Sequence, residues 1–118
     1  MLKTSDRRFV QTCILLLGLT RPVTVRIVTR TLKTEGEEAC ALYWDKEDRH
    51  FIESRYGSVR GSFRTLVAHE LCHAWVVENH PRAKDHGPTF QRCAKGLRDA
   101  LRGWGYNVGR IYRADCDK

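Results

Sequence analysis

The stretch from Phe63 to Val77 reads FRTLVAHELCHAWVV and holds His69, Glu70 and His73 in the spacing His-Glu-x-x-His. On an α-helix, positions i and i+4 share a face, so the two imidazoles stand one turn apart with a carboxylate beside them. Neutral imidazole nitrogen suits Zn²⁺, and a carboxylate next to metal-bound water can act as its general base. The rest of the stretch is apolar nearly all the way round, with Leu66, Val67, Leu71, Trp75, Val76 and Val77 covering most directions. A helix of that kind is buried. Burying two histidines and a glutamate without partners costs on the order of several kcal/mol, and a shared metal satisfies them. The competing reading is a pair of core histidines bonded to backbone carbonyls; the spacing and the glutamate weigh against it.

The flanking sequence supplies a frame for this helix. Gly57 to Ser62 reads as a linker whose serines can cap it, and the helix is expected to stop near Asn79-His80-Pro81. Further upstream, Ser5 can cap a first helix with Phe9, Val10, Cys13, Ile14 and Leu17 inward and Gly18 near its end. Val23, Val25 and Ile27 alternate with Thr24 and Arg26, and Cys40, Leu42 and Trp44 alternate with Ala39, Ala41 and Tyr43. A third strand runs from His50 to Arg55. Turns at Thr34-Glu35-Gly36 and at the charged Asp45–Asp48 join the three into an antiparallel meander. Downstream, Gly87-Pro88 opens a third helix with Phe90, Ala94, Leu97 and Leu101 inward and Gly103 as its stop. A short strand is expected around Arg110-Ile111-Tyr112. The fold class is therefore α+β: three helices with a small three-stranded antiparallel sheet.

At 118 residues the chain has surface enough to bury for one core and not two, so residues 1–118 are read as one domain. Lys3, Arg7 and Arg8 precede Ile14-Leu15-Leu16-Leu17, but the apolar run is too short for a signal peptide, Asp6 interrupts the basic region, and no small-x-small cleavage site follows. No segment approaches the roughly 20 apolar residues that span a bilayer. The five cysteines, Cys13, Cys40, Cys72, Cys93 and Cys116, are scattered and form no CxxC pair, which excludes a zinc ribbon or a thioredoxin-like motif. Free, mostly buried thiols in a reducing compartment are expected, and with them a soluble, cytoplasmic protein. Cys72 follows His69 by three residues and reads as a small core residue rather than a ligand.

Catalytic zinc takes three protein ligands and keeps a fourth position open. Four residues are candidates for the third: Glu78, His80, Asp85 and His86. Glu78 points away from the His69/His73 face, and His80 lies about 10 Å further along the axis than His73. His86 stands just ahead of a helix start, where Gly87 permits a sharp turn and Phe90 anchors the helix, so His86 is the favoured ligand. Asp85 can accept an imidazole N–H.

These residues carry a resemblance. The run Leu66-Val67-Ala68-His69-Glu70-Leu71-Cys72-His73-Ala74-Trp75, followed by His86-Gly87-x-x-Phe90, resembles the SprT-like metalloprotease domain, the catalytic module also found in Spartan. The similarity covers much of residues 1–102, with specific motifs between 63 and 93. It implies a minimal zincin-like fold, zinc held by His69, His73 and His86, Glu70 as the catalytic glutamate, and a protein or peptide substrate, including DNA-bound proteins. The paired CxxC ribbon of many bacterial members is missing here, and there is no room for the DNA- and partner-binding segments of the larger members. A metzincin would need a Gly and a third His soon after His73. A gluzincin would need a glutamate on a later helix, and the third helix offers only Asp99.

Charge suggests a partner. The chain carries a net +7 with a pI near 9.5, which favours a polyanion or an acidic partner. On the third helix Arg92, Lys95, Arg98 and Arg102 recur at three- and four-residue spacing opposite the apolar face. Such a stripe can track DNA phosphates without reading sequence; the alternative is an ordinary solvated face. No recognition helix and no aromatic-plus-basic platform marks base-specific reading. Three function classes follow: a zinc endopeptidase, an ImmA-like regulatory peptidase with one target, and a zinc-stabilised module that binds nucleic acid or protein without catalysis. Glu70 weighs against the last, since a structural site needs no base. Tyr106, Arg110 and Tyr112 are candidates for an extra oxyanion donor.

Overall fold

The computed structural model describes residues 2–34, 36–55, 57–58 and 61–113. Helix α1 (Thr4–Leu17) takes in Ser5, so the expected Ser5 cap is corrected: Lys3 is the N-cap, with no side-chain cap, and the helix ends at Gly18, whose φ of 64° closes the last turn. Helix α2 (Phe63–Asn79) takes its cap from Ser62, whose hydroxyl accepts the Thr65 N–H at 3.3 Å. Helix α3 (Pro88–Gly103) has proline in its first turn, where the missing N–H costs nothing.

Three strands make the main sheet: β1 (Val23–Ile27), β4 (Ala41–Lys46) and β5 (Arg49–Ser54). Their order is β1-β5-β4; β5 runs antiparallel to β4 but parallel to β1. The sheet is therefore mixed, a correction to the antiparallel meander. Apolar alternation tells which strands are half-buried but not which of them pair. Between β1 and β4 the chain makes a separate hairpin, β2 (Leu32–Thr34) with β3 (Glu37–Ala39), and this excursion lets β5 enter between the two outer strands. The turn expected at Thr34–Gly36 belongs to that hairpin; Glu35 lies outside the described residues. The β4–β5 turn is tight, with Glu47 and Asp48 at φ 54° and 58°, as a two-residue hairpin loop requires. The expected 57–62 linker includes two short paired strands, β6 (Gly57–Ser58) and β7 (Gly61–Ser62). The strand expected around Ile111 is instead a 3-10 turn, Ile111–Arg113.

Helix α2 lies at the centre, packed on α1, α3, β4 and β5. Val67, Ala68, Leu71 and Cys72 are fully enclosed, and Phe9, Cys13, Ile52, Phe90, Leu97 and Leu101 close around them. Surrounded on all sides, α2 needs the all-round apolar sequence it has. Cys13, Cys72 and Cys93 are free and buried. Cys40 is disulfide-bonded, which corrects the expectation of free thiols throughout: an odd cysteine count gives no sign of a single pair. A disulfide favours an oxidising setting, so the thiols no longer argue for a reducing compartment. Cys116 lies outside the described residues. Among the described residues, no helix is long and apolar enough to cross a membrane.

Candidate metal centre

His69 and His73 project from the middle of α2, and His86 meets them from the turn before α3. That turn is built for the purpose. The Gly87 N–H bonds the Lys84 carbonyl at 3.1 Å, and a Cβ at Gly87 would stand 3.1 Å from Lys84 Cβ and 3.2 Å from its carbonyl oxygen. His86 itself sits at φ 56°, in the left-handed region that few side chains adopt. Three residues on, Phe90 is 1% exposed, and its ring lies 4.5–4.9 Å from the centroids of all three imidazoles. Phe90 both anchors α3 and forms the floor of the site.

The three Nε2 atoms converge. His86 Nε2 lies 3.1 Å from His69 Nε2 and 3.0 Å from His73 Nε2. Nitrogens bound at ~2.05 Å to one tetrahedral zinc stand ~3.3 Å apart, close to these spacings. The opposite ring nitrogens fix where the protons are. His69 Nδ1 is 2.8 Å from the Ile111 carbonyl; a carbonyl only accepts, so Nδ1 carries the proton. Asp85 faces the other two, with Oδ1 3.2 Å from His73 Nδ1 and Oδ2 3.5 Å from His86 Nδ1. His69 therefore presents a bare Nε2 lone pair to the point where the other two Nε2 atoms converge, and the charge of Asp85 favours the same tautomer in His73 and His86. Burial first, and then the neighbouring His69 and His86, lower the pKa of His73 to about 3, so its ring stays neutral. Nε2 lone pairs this close to that of His86 repel it, and a cation at their focus removes that repulsion. His69, His73 and His86 can hold a metal ion. Glu70, 8% exposed, sets its carboxylate 3.9 Å from His69 Nε2, at the edge of this focus.

The SprT-like family model matches residues 53–110, which span α2, the His86 turn and α3. Over this stretch the chain belongs to the SprT-like family. No curated protein and no solved structure matches the chain.

Within the SprT-like domain the remaining candidates fall into place. Glu78 leaves the site and receives the Thr20 and Arg21 backbone N–H groups and His50 Nε2 at 2.6 Å. His80 caps α2, with its ring 5.2 Å from that of Trp75. Cys72 points into the core, where burial above all pushes its thiol pKa up. Tyr106 packs edge-on against Phe9, away from the metal centre. Tyr112 stands against it: the hydroxyl donates to the His86 carbonyl at 3.2 Å and accepts from Gln91 at 3.3 Å. Two features had no signal in the sequence. The Ile111 carbonyl that orients His69 is backbone and carries no side-chain chemistry. Tyr43, whose ring centroid lies 6.2 Å from that of His73, comes from a strand far away in the chain.

Proposed function

We propose that the SprT-like domain is a zinc-dependent endopeptidase. The observation that carries this reading is the convergence of three Nε2 atoms, that of His86 within 3.1 Å of the other two, with Glu70 at their edge. Zinc, when bound, supplies a Lewis acid for the scissile carbonyl and acidifies the attacking water. His69, His73 and His86 would hold it; the Ile111 carbonyl fixes the tautomer of His69, and the charge of Asp85 favours the same tautomer in the other two rings. Glu70 takes the proton from the attacking water and passes it to the leaving amine. Among the described residues the cluster offers three ligands, which suits a catalytic site rather than a closed four-ligand structural one. The buried carboxylate of Glu70 favours catalysis over a zinc-stabilised binding module for the same reason.

The substrates we propose are proteins, including those associated with DNA. Arg92, Lys95 and Arg102 are exposed on α3 and Arg98 is half-buried, and the net charge of +7 favours association with a polyanion. A regulatory peptidase with one target would share the chemistry and differ only in range. The test is cleavage of free and DNA-bound proteins by the zinc-loaded protein, with and without a chelator. Chelator-sensitive cleavage of several proteins is expected; cleavage that survives metal removal would overturn the zinc reading. Cleavage of one target alone would favour the regulatory alternative.

A further inference from the structure

A second concave site lies on the far side of the 3-10 turn. Between α3 and residues 110–113 runs a cleft of about 360 Å³. Among the described residues its walls carry four cationic side chains, Lys95, Arg98, Arg110 and Arg113, against one carboxylate, Asp99. That carboxylate is already engaged, since Lys95 Nζ bonds Asp99 Oδ2 at 3.2 Å. Arg98 Nε is buried and has no hydrogen-bond partner among the described residues, an arrangement that proteins avoid unless something else satisfies the group. Among the described residues, Arg110 and Arg113 make no ion pair. The cleft thus gathers like charges and leaves a buried donor open.

We propose that this cleft binds a phosphate-type tetrahedral oxyanion, either free or as a phosphodiester. Guanidinium groups present planar pairs of donors that match such oxygens, and an anion among them relieves their mutual repulsion and satisfies Arg98 Nε. A lone substrate carboxylate would leave most of this charge unanswered. The cleft also shares a wall with the metal centre. Ile111 and Tyr112 line it; Ile111 holds His69 through its carbonyl, and Tyr112 holds the His86 carbonyl. An anion that orders 110–113 therefore steadies two of the three metal ligands. Binding rests on the cleft alone, and only this coupling rests on the peptidase reading above.

The test is a titration of the zinc-loaded Glu70→Gln protein with sulfate, and separately with an eight-residue oligothymidylate, at fixed ionic strength. Backbone amide resonances report the site. The expected result is saturable shifts confined to residues 91–99 and 110–113, together with a shift of the His69 Nδ1–H resonance. Arg98→Gln and, independently, Arg110→Gln weaken binding at least about tenfold, while Arg26→Gln, exposed on β1 and outside the cleft, changes it less than about twofold. Saturation by sulfate alone names a free oxyanion as the ligand, and saturation by the oligothymidylate alone names a phosphodiester backbone. Shifts spread over the basic surface without saturation, or unchanged affinity in both cleft variants, would overturn the proposal. Failure of cleavage in the wild type would sink the peptidase reading and leave anion binding standing.

Discussion

Two histidine networks lie side by side in this molecule, and they are opposites. On the sheet side, His50 is wholly buried, with its Nε2 on Glu78 at 2.6 Å and its Nδ1 on the Tyr43 hydroxyl at 2.8 Å. Carboxylate, imidazole and phenol each find a partner, and burial, helped by the charge of Asp45, raises the pKa of Tyr43 and keeps its proton in place. On the α3 side, His69, His73 and His86 turn their Nδ1 atoms outward, to the Ile111 carbonyl and to Asp85, and their Nε2 atoms toward one another. One network is complete in itself. The other gathers three nitrogens that can hold a cation. A core histidine and a metal ligand are thus told apart not by burial but by where the second nitrogen points.

This contrast can be broken at both ends. The largest effect is expected from His86→Ala, which removes the nitrogen shared by both short contacts; zinc affinity should fall by more than about a hundredfold, read by competition with a chromogenic chelator. Asp85→Ala leaves the ligands but frees two rings to rotate, and a loss of about 10- to 100-fold in affinity is expected. Asp85 is 75% exposed, so the lower end of that range is the expected one. His50→Phe should do the reverse. It leaves Glu78 and the Tyr43 hydroxyl without their partner, costing about 3 kcal/mol in urea unfolding, while zinc affinity stays within about threefold because no ligand is touched. The smallest effect concerns acid. Burial works to raise the Glu78 pKa, but the donors from His50, Thr20 and Arg21 outweigh it and bring it to about 2. Its folded value lies below its ordinary 4.5, so its contribution is full above that pH and is lost as pH falls from about 4.5 to about 2. Urea midpoints of the metal-free protein should decline across that window, and Glu78→Gln should flatten the decline.

The complete network was not legible in the sequence, and the other largely was. His69, Glu70 and His73 follow one another on a single helix, and His86-Gly87-x-x-Phe90 is a local device in which a turn, a proline-led helix start and an anchor sit within five residues. Local spacing fixes local geometry, so these were open to reading. Tyr43, His50 and Glu78 come from β4, β5 and the end of α2, and the insertion of β5 between β1 and β4 is what gathers them. Alternating apolar residues do not encode that strand order. The Ile111 carbonyl was hidden for another reason: alternation across three residues near 110–112 fits a strand as readily as the 3-10 turn that forms. Glu78 shows the limit from the other side, since its position on α2 excluded it as a ligand but did not disclose what it holds.

The central claim is that Glu70 moves a proton at a zinc held by the three histidines, and Glu70→Gln tests it most directly. Zinc content and peptide-bond hydrolysis are measured on the same preparation beside the wild type. The predicted result is one zinc per chain in both proteins, with hydrolysis by the variant reduced about 10²- to 10⁴-fold. Wild-type hydrolysis by the zinc-loaded variant would contradict the account.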